Sequence, residues 1–138
     1  MHLIAVDAAL VFQALADPTR VRIVRLLAAA DEEACLCELV DSLHAPQYKL
    51  SRHLKILRQT GILATEKEGR FIYHRLVARP PYLAKLHAAL RGLPDRNGQF
   101  SGDLRRFRER MRLRDAGRCR IGIQTPLLAV AAKGRAVA

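Results

Sequence analysis

The segment spanning residues 34–59 constrains this chain more than any other, because two short helices flank a link of three residues. The first is expected at about 34–43 and carries Leu39, Val40 and Leu43 as its packing face. The link His44-Ala45-Pro46 is too short for anything but the tight turn of a helix-turn-helix. The second helix, about 47–59, turns Leu50, Leu54 and Leu57 inward at i, i+4 and i+7. It presents Gln47, Tyr48, Lys49, Ser51, Arg52 and Lys55 outward. Cys35 and Cys37 stand at the head of the first helix, two sulfurs one residue apart.

The flanking sequence supplies the rest of a winged helix. Ile4, Ala8, Val11, Phe12 and Leu15 recur at helical spacing over 4–15, a rich stripe for so short a helix and a candidate dimer seam. Asp17-Pro18 caps and opens a helix over 18–29. Gly61 ends the reading helix. Ile62–Glu66 and Arg70–Leu76 then read as a β-hairpin around Lys67-Glu68-Gly69. Arg79-Pro80-Pro81 opens a further helix with Leu83, Leu86, His87 and Leu90 on one side. The fold class is mainly α (α+β), a winged helix-turn-helix whose N- and C-terminal helices form a dimer interface.

A second part follows. Residues 1–91 form the DNA-binding and dimerisation domain, and 92–138 a basic extension with a linker at 94–102 and an amphipathic helix at 103–116. In that helix Leu104, Phe107 and Met111 align, and arginines occupy 105, 106, 108, 110, 112 and 114. Residues 121–132 are apolar, and packed, strand-like and disordered readings all stay open. The formal charge of +11 points to a polyanionic partner. The excess is uneven: 12 basic against 9 acidic residues up to position 90, then 12 against 4. Bulk charge therefore does not locate the DNA. Three cysteines without disulfide-scaffold spacing suit a reducing cytosol. No signal peptide or membrane span is expected, so the predicted location is cytoplasmic.

These elements, in this order, resemble the ArsR/SmtB family of metal-responsive winged-helix repressors, of the arsenic-responsive CxC type. The matching runs are Leu15-Ala16-Asp17-Pro18-Thr19-Arg20, Cys35-Leu36-Cys37-Glu38-Leu39, Leu50-Ser51-Arg52-His53-Leu54-Lys55 and the hairpin Glu68–Leu76. Together they cover roughly residues 5–90. The resemblance implies a homodimer on operator DNA that falls off when metal binds. Ala45-Pro46 depart from the family's small polar residue, and the family's second metal site, on the last helix of the winged domain, lacks partners for His87.

The predicted metal site is Cys35, Cys37 and Cys119. Soft thiolates select thiophilic species, and the family's arsenite sensors take a third sulfur from nearby. Arsenite or antimonite, As(III) or Sb(III), is thus the expected effector, and Cys119 is the one cysteine left to complete the site. Whether it serves its own chain or the partner's stays open, and so does a packed or merely exposed thiol. Arg118 and Arg120 beside it are expected to favour its thiolate. His2 is a weaker alternative ligand. Residues i and i+2 of a regular helix lie about 200° apart, whereas sulfurs on one ion approach within about 4 Å. Binding both Cys35 and Cys37 is therefore expected to unwind the helix and misplace its neighbour.

The DNA-binding residues are expected to be Gln47, Tyr48, Lys49, Ser51, Arg52 and His53 on the reading helix, with Lys55, Arg70 and Arg75 on phosphate. The basic tail is expected to pack on the domain, to touch flanking DNA or to bind another protein. No phosphate loop, catalytic triad or paired acidic site is evident, so catalysis is rejected. The alternatives are a thiol-redox-controlled repressor and a Cd/Pb-sensing repressor of the same fold. A metal-independent DNA-binding module is a third reading.

Overall fold

The computed structural model describes residues 7–129. Six helices and a small sheet follow in the order α1 (Ala8–Ala14), α2 (Pro18–Ala30), β1 (Ala34–Cys35), α3 (Leu36–Leu43), α4 (Gln47–Gln59), β2 (Leu63–Glu68), β3 (Phe71–Leu76), α5 (Pro81–Arg91) and α6 (Gln99–Met111). A short 3₁₀ turn at Pro126–Ala129 ends the described chain. This is the winged helix-turn-helix. No helix among the described residues is long and apolar enough to cross a membrane.

Local chemistry sets the boundaries. Asp17 accepts a hydrogen bond from the Arg20 amide, and Pro18, which has no amide hydrogen to lose, occupies the first helical position of α2. The turn between α3 and α4 is made by His44 in the left-handed region and Pro46 in extended backbone. At the end of α4 Gly61 takes φ +84°, so that its amide reaches Arg58 O and the Ile62 amide reaches Leu57 O. That pair of bonds is a Schellman motif, and buried Ile62 and Leu57 supply its hydrophobic closure.

The sheet is antiparallel in the order β1-β3-β2. The hairpin β2–β3 is the wing. The third strand is only Ala34–Cys35, in register with His74 and Tyr73 of β3. The chain therefore enters α3 already pinned to the wing.

One apolar cluster joins Val11, Ile23, Val24, Leu27, Leu39, Leu43, Leu50, Leu54, Leu57 and Leu83 to Phe107 of α6. Leu104, Met111, Ile123 and Leu128 pack against it. The extension thus shares the core of the winged portion, with α6 lying across α3 and α2. The helix starts at Gln99, earlier than the expected 103. Asp95 folds back to accept from the Phe100 and Ser101 amides, and Gly98 turns the chain into α6 at φ +73°. Met111 is its last residue. The continuation to Ala129 is an irregular strap over α3, so the packed reading of residues 121–129 holds. The expected α1 begins at Ala8 within the described residues; His2, Ile4 and residues 130–132 lie outside them.

Candidate metalloid site and DNA-reading surface

The three cysteines converge within one chain. Cys37 Sγ lies 3.6 Å from Cys119 Sγ. Cys35, Glu38 and Cys119 each place a ligand atom within 4.8 Å of the other two. Cys119 therefore stands beside its own chain's CxC pair. Tyr73 fixes it there: the Cys119 amide donates to the Tyr73 hydroxyl at 2.8 Å, and Tyr73 is the residue paired with Cys35 across β1 and β3.

The expectation that chelation must unwind α3 is corrected by the backbone. Cys35 is not helical. It is the N-cap, in extended backbone at φ −84°, ψ 159°, and Cys37 is the second helical residue. The 200° separation applies to two residues that are both inside a helix, so it does not apply to this pair. The cap is a capping box built on Cys-x-x-Glu, with Glu38 accepting from the Cys35 amide at 2.9 Å.

The charge distribution among the sulfurs also differs from expectation. Cys37 is pulled down to about 6, first by the hydrogen bond from the Cys35 thiol, with Cys119 and the charge of Arg110 adding to it against burial. Cys35 is pushed far up by that same bond to Cys37, by burial and by the Glu38 carboxylate. Cys119 is raised to about 11, chiefly by burial and then by Glu38. Its flanking arginines do not make it a thiolate, because Arg118 is engaged by Glu33 and Glu68. Cys37 is therefore the most acidic of the three thiols.

Four arginines spaced by four residues hold the extension down: Arg106 and Arg110 tie α6 to α3, Arg114 ties the strap to α3, and Arg118 ties it to Glu33 and the wing. Arg106 donates to Ser42 O and to Asp103, which also pairs with Arg22. Arg110 Nε meets Asp41 at 2.7 Å. Arg114 binds Glu38 through two nitrogens, at 2.8 and 2.9 Å, and donates to Glu33 O. Arg118 holds Glu33 and Glu68. Asp41 also accepts from the Gln124 and Thr125 amides and the Thr125 hydroxyl. Of the three roles the sequence leaves open for the basic tail, packing on the domain is the one these bonds display. The i, i+4 spacing of 106, 110, 114 and 118, matched by Glu38 and Asp41 on α3, was the signal for this inner row.

Donor chemistry favours sulfur alone. The Glu38 carboxylate lies near the thiols but is fully buried and bonded to Arg114 and to the Cys35 amide. Recruiting it to a metal would strand a nearly buried arginine. That leaves three sulfurs, a donor set suited to a thiophilic metalloid. A cleft of about 450 Å³ reaches Cys35 and Cys37, running between Gln47, Ser51 and Arg58 of α4 and Arg70, Phe71 and Ile72 of the wing.

On the reading helix, Gln47, Lys49, Ser51, Arg52 and Lys55 are exposed. Tyr48 is half-buried and stacks under the Arg52 guanidinium at 5.6 Å. Arg70 stands exposed at the wing tip over Phe71. His53 is turned away from this surface: its Nδ1 lies 3.2 Å from Arg20 and 3.8 Å from Asp17, tying α4 to the start of α2. Arg75 is exposed too, but it lines a different cleft with Asp31, Glu32 and Glu33, apart from the reading helix.

Residues 17–65 match the model of the bacterial regulatory protein arsR family, which places a transcriptional regulator's helix-turn-helix on α2–α4 and the start of the wing. The chain belongs to that family: it is a DNA-binding transcriptional regulator and not an enzyme. It is 42% identical over 91 residues to the arsenic resistance transcriptional regulator ArsR1 of Pseudomonas putida, covering 66% of this chain and 69% of that one. It is 42% identical over 76 residues to the arsenical resistance operon repressor of Escherichia coli, 54% of this chain and 64% of that one. With a cadmium resistance regulator CadC homolog of Staphylococcus aureus the identity is 37% over 70 residues, 51% and 57% of the two chains.

Proposed function

We propose that this protein is a repressor that holds operator DNA as a homodimer and releases it when As(III) or Sb(III) binds Cys35, Cys37 and Cys119 of one chain. The observation that carries the reading is the convergence of three thiols from two distant segments, with Cys37 and Cys119 at 3.6 Å. Their spacing is already close to the roughly 4 Å that two sulfurs on one ion require. Three thiols exchange with a trivalent metalloid hydroxide, each S–H proton leaving with one hydroxide as water, and Cys37, the most readily ionised of the three, attacks first. The relatives named for arsenic resistance support the effector class.

Cys35 is the sulfur placed to transmit the event. It belongs at once to the strand paired with the wing and to the cap of α3, and α3 packs on α4. Drawing Cys35 toward the other two sulfurs pulls on both DNA-contacting elements without unwinding a helix. Gln47, Tyr48, Lys49, Ser51 and Arg52 read base edges, and Lys55 and Arg70 hold phosphate. Leu10 and Phe12 stand exposed on α1, apolar surface on two sides of the helix that supports dimerisation through this end.

An operator mobility shift in reducing buffer tests the reading. Arsenite and antimonite release the duplex at concentrations where zinc and cadmium do not. Release by cadmium alone would overturn the effector assignment. The 3.6 Å gap also favours a second reading, in which peroxide oxidises Cys37 and Cys119 to a disulfide. Release by peroxide but not by arsenite would select it.

A further inference from the structure

We propose that Arg110 is the positioning residue for the third thiol, converting a two-sulfur chelate into a three-sulfur one. The proposal rests on the reading of the three cysteines as the effector site. Arg110 is 5% exposed and comes from α6, not from the segment that carries Cys119. Its Nε is held by Asp41 of α3 at 2.7 Å. Its Nη2 reaches forward to two consecutive carbonyls, Ile121 O at 3.1 Å and Gly122 O at 3.0 Å.

Ile121 O is the oxygen around which the sulfurs gather. It lies 3.4 Å from Cys119 Sγ and 3.5 Å from Cys37 Sγ, an acceptor for either when protonated. One guanidinium thus fixes α3 with one nitrogen and the carbonyl beside both thiols with another. A planar fork is required for this, because an ammonium offers donors from a single point. Beyond residue 122 the strap is tied by Asp41 itself, through Gln124 and Thr125. Before it, Arg114 Nη1 holds Gly117 O at 3.2 Å. Between those ties, the turn carrying Cys119 is held by the Tyr73 hydroxyl on its amide, by Arg118 on Glu33 and Glu68, and by Arg110, the one of these three that grips the carbonyls following the thiol.

The test uses the full-length protein and the variant Arg110→Lys, which keeps a cation opposite Asp41 but loses the fork. Iodoacetamide labelling of each cysteine is followed by mass spectrometry, with and without arsenite. In the wild type Cys119 is shielded, and arsenite protects all three cysteines. In Arg110→Lys, Cys119 is alkylated more than an order of magnitude faster and arsenite protects only Cys35 and Cys37, with metal-free operator affinity unchanged. Arg106→Lys is the control: its bonds go to Ser42 O and Asp103 and none to the Cys119 turn, so Cys119 stays shielded. Should Arg110→Lys fail to fold, Arg110→Gln removes the fork while Asp41 keeps its bonds from Gln124 and Thr125. A Cys119 that stays shielded in these variants, or that Arg106→Lys exposes equally, overturns the proposal. Failure of arsenite to protect any cysteine in the wild type would sink the effector reading instead, and the alkylation rates would still decide the role of Arg110.

Discussion

Replacing Asp41 by Ala removes the acceptor that holds the strap to the first helix of the helix-turn-helix. The side chain is 7% exposed and its Arg110 partner 4% exposed. Truncation strands a buried cation with only two carbonyls for company and frees the Gln124 and Thr125 amides. Breaking one side of such a pair costs about 3–5 kcal/mol. For a chain of this size that lowers Tm by roughly 10–20 °C. Removing both charges together, Asp41→Leu with Arg110→Met, avoids the stranded cation and should cost less than the sum of the two single changes, the loss that remains being that of the Gln124 and Thr125 bonds. Urea unfolding followed by circular dichroism, on Asp41→Leu, Arg110→Met and the double, closes the cycle. A single Asp41→Ala costing less than about 1 kcal/mol would refute the reasoning. So would a double variant as damaged as the sum of its parts.

Other outcomes follow from the same geometry. His74 is buried with an unpartnered Nδ1, and burial, with Arg58 nearby, lowers it to about 4. A folded pKa below the unfolded one means that stability is intact above about pH 6.5 and falls as pH drops toward 4, by on the order of 3 kcal/mol in all. His74→Gln should flatten that window in pH-dependent urea melts, and an unchanged slope would contradict it. Cys119→Ser should leave metal-free operator binding intact while weakening arsenite release by more than an order of magnitude, measured by operator anisotropy. Arg52→Ala should cost about 1–3 kcal/mol on the operator and relax its base preference. Arg70→Ala should weaken all duplexes alike and reduce the salt slope by about 1. Phe107 is 1% exposed in the shared core, so Phe107→Ala should cost about 3–5 kcal/mol despite lying in the extension.

Much of the winged portion was legible because its signals are local. Leu50, Leu54 and Leu57 face inward as their spacing requires, and Asp17-Pro18 and Gly61 bracket their helices by cap chemistry. The exposed row Gln47, Lys49, Ser51, Arg52 and Lys55 follows from the same period. What failed was a matter of a single residue or of distant partners. Cys35 looked helical because it sits next to a helical run. Its extended conformation comes from pairing with Tyr73, 38 positions away in the chain, and from a capping box with cysteine in the place of serine. His53 stood in a motif that suggests DNA, yet its nearest groups are Arg20 and Asp17. The role of the extension stays open in the sequence because charge counts do not say which arginines find carboxylates. Arg110, Arg114 and Arg118 become structural only once Asp41, Glu38 and Glu33 are seen beneath them.

The most direct test of the account is arsenic X-ray absorption on the reduced protein loaded with one arsenite per chain. Three sulfur neighbours and no oxygen in the first coordination sphere are predicted. Two sulfurs with an oxygen, unchanged when Cys119 is replaced by Ser, would contradict the three-thiol site.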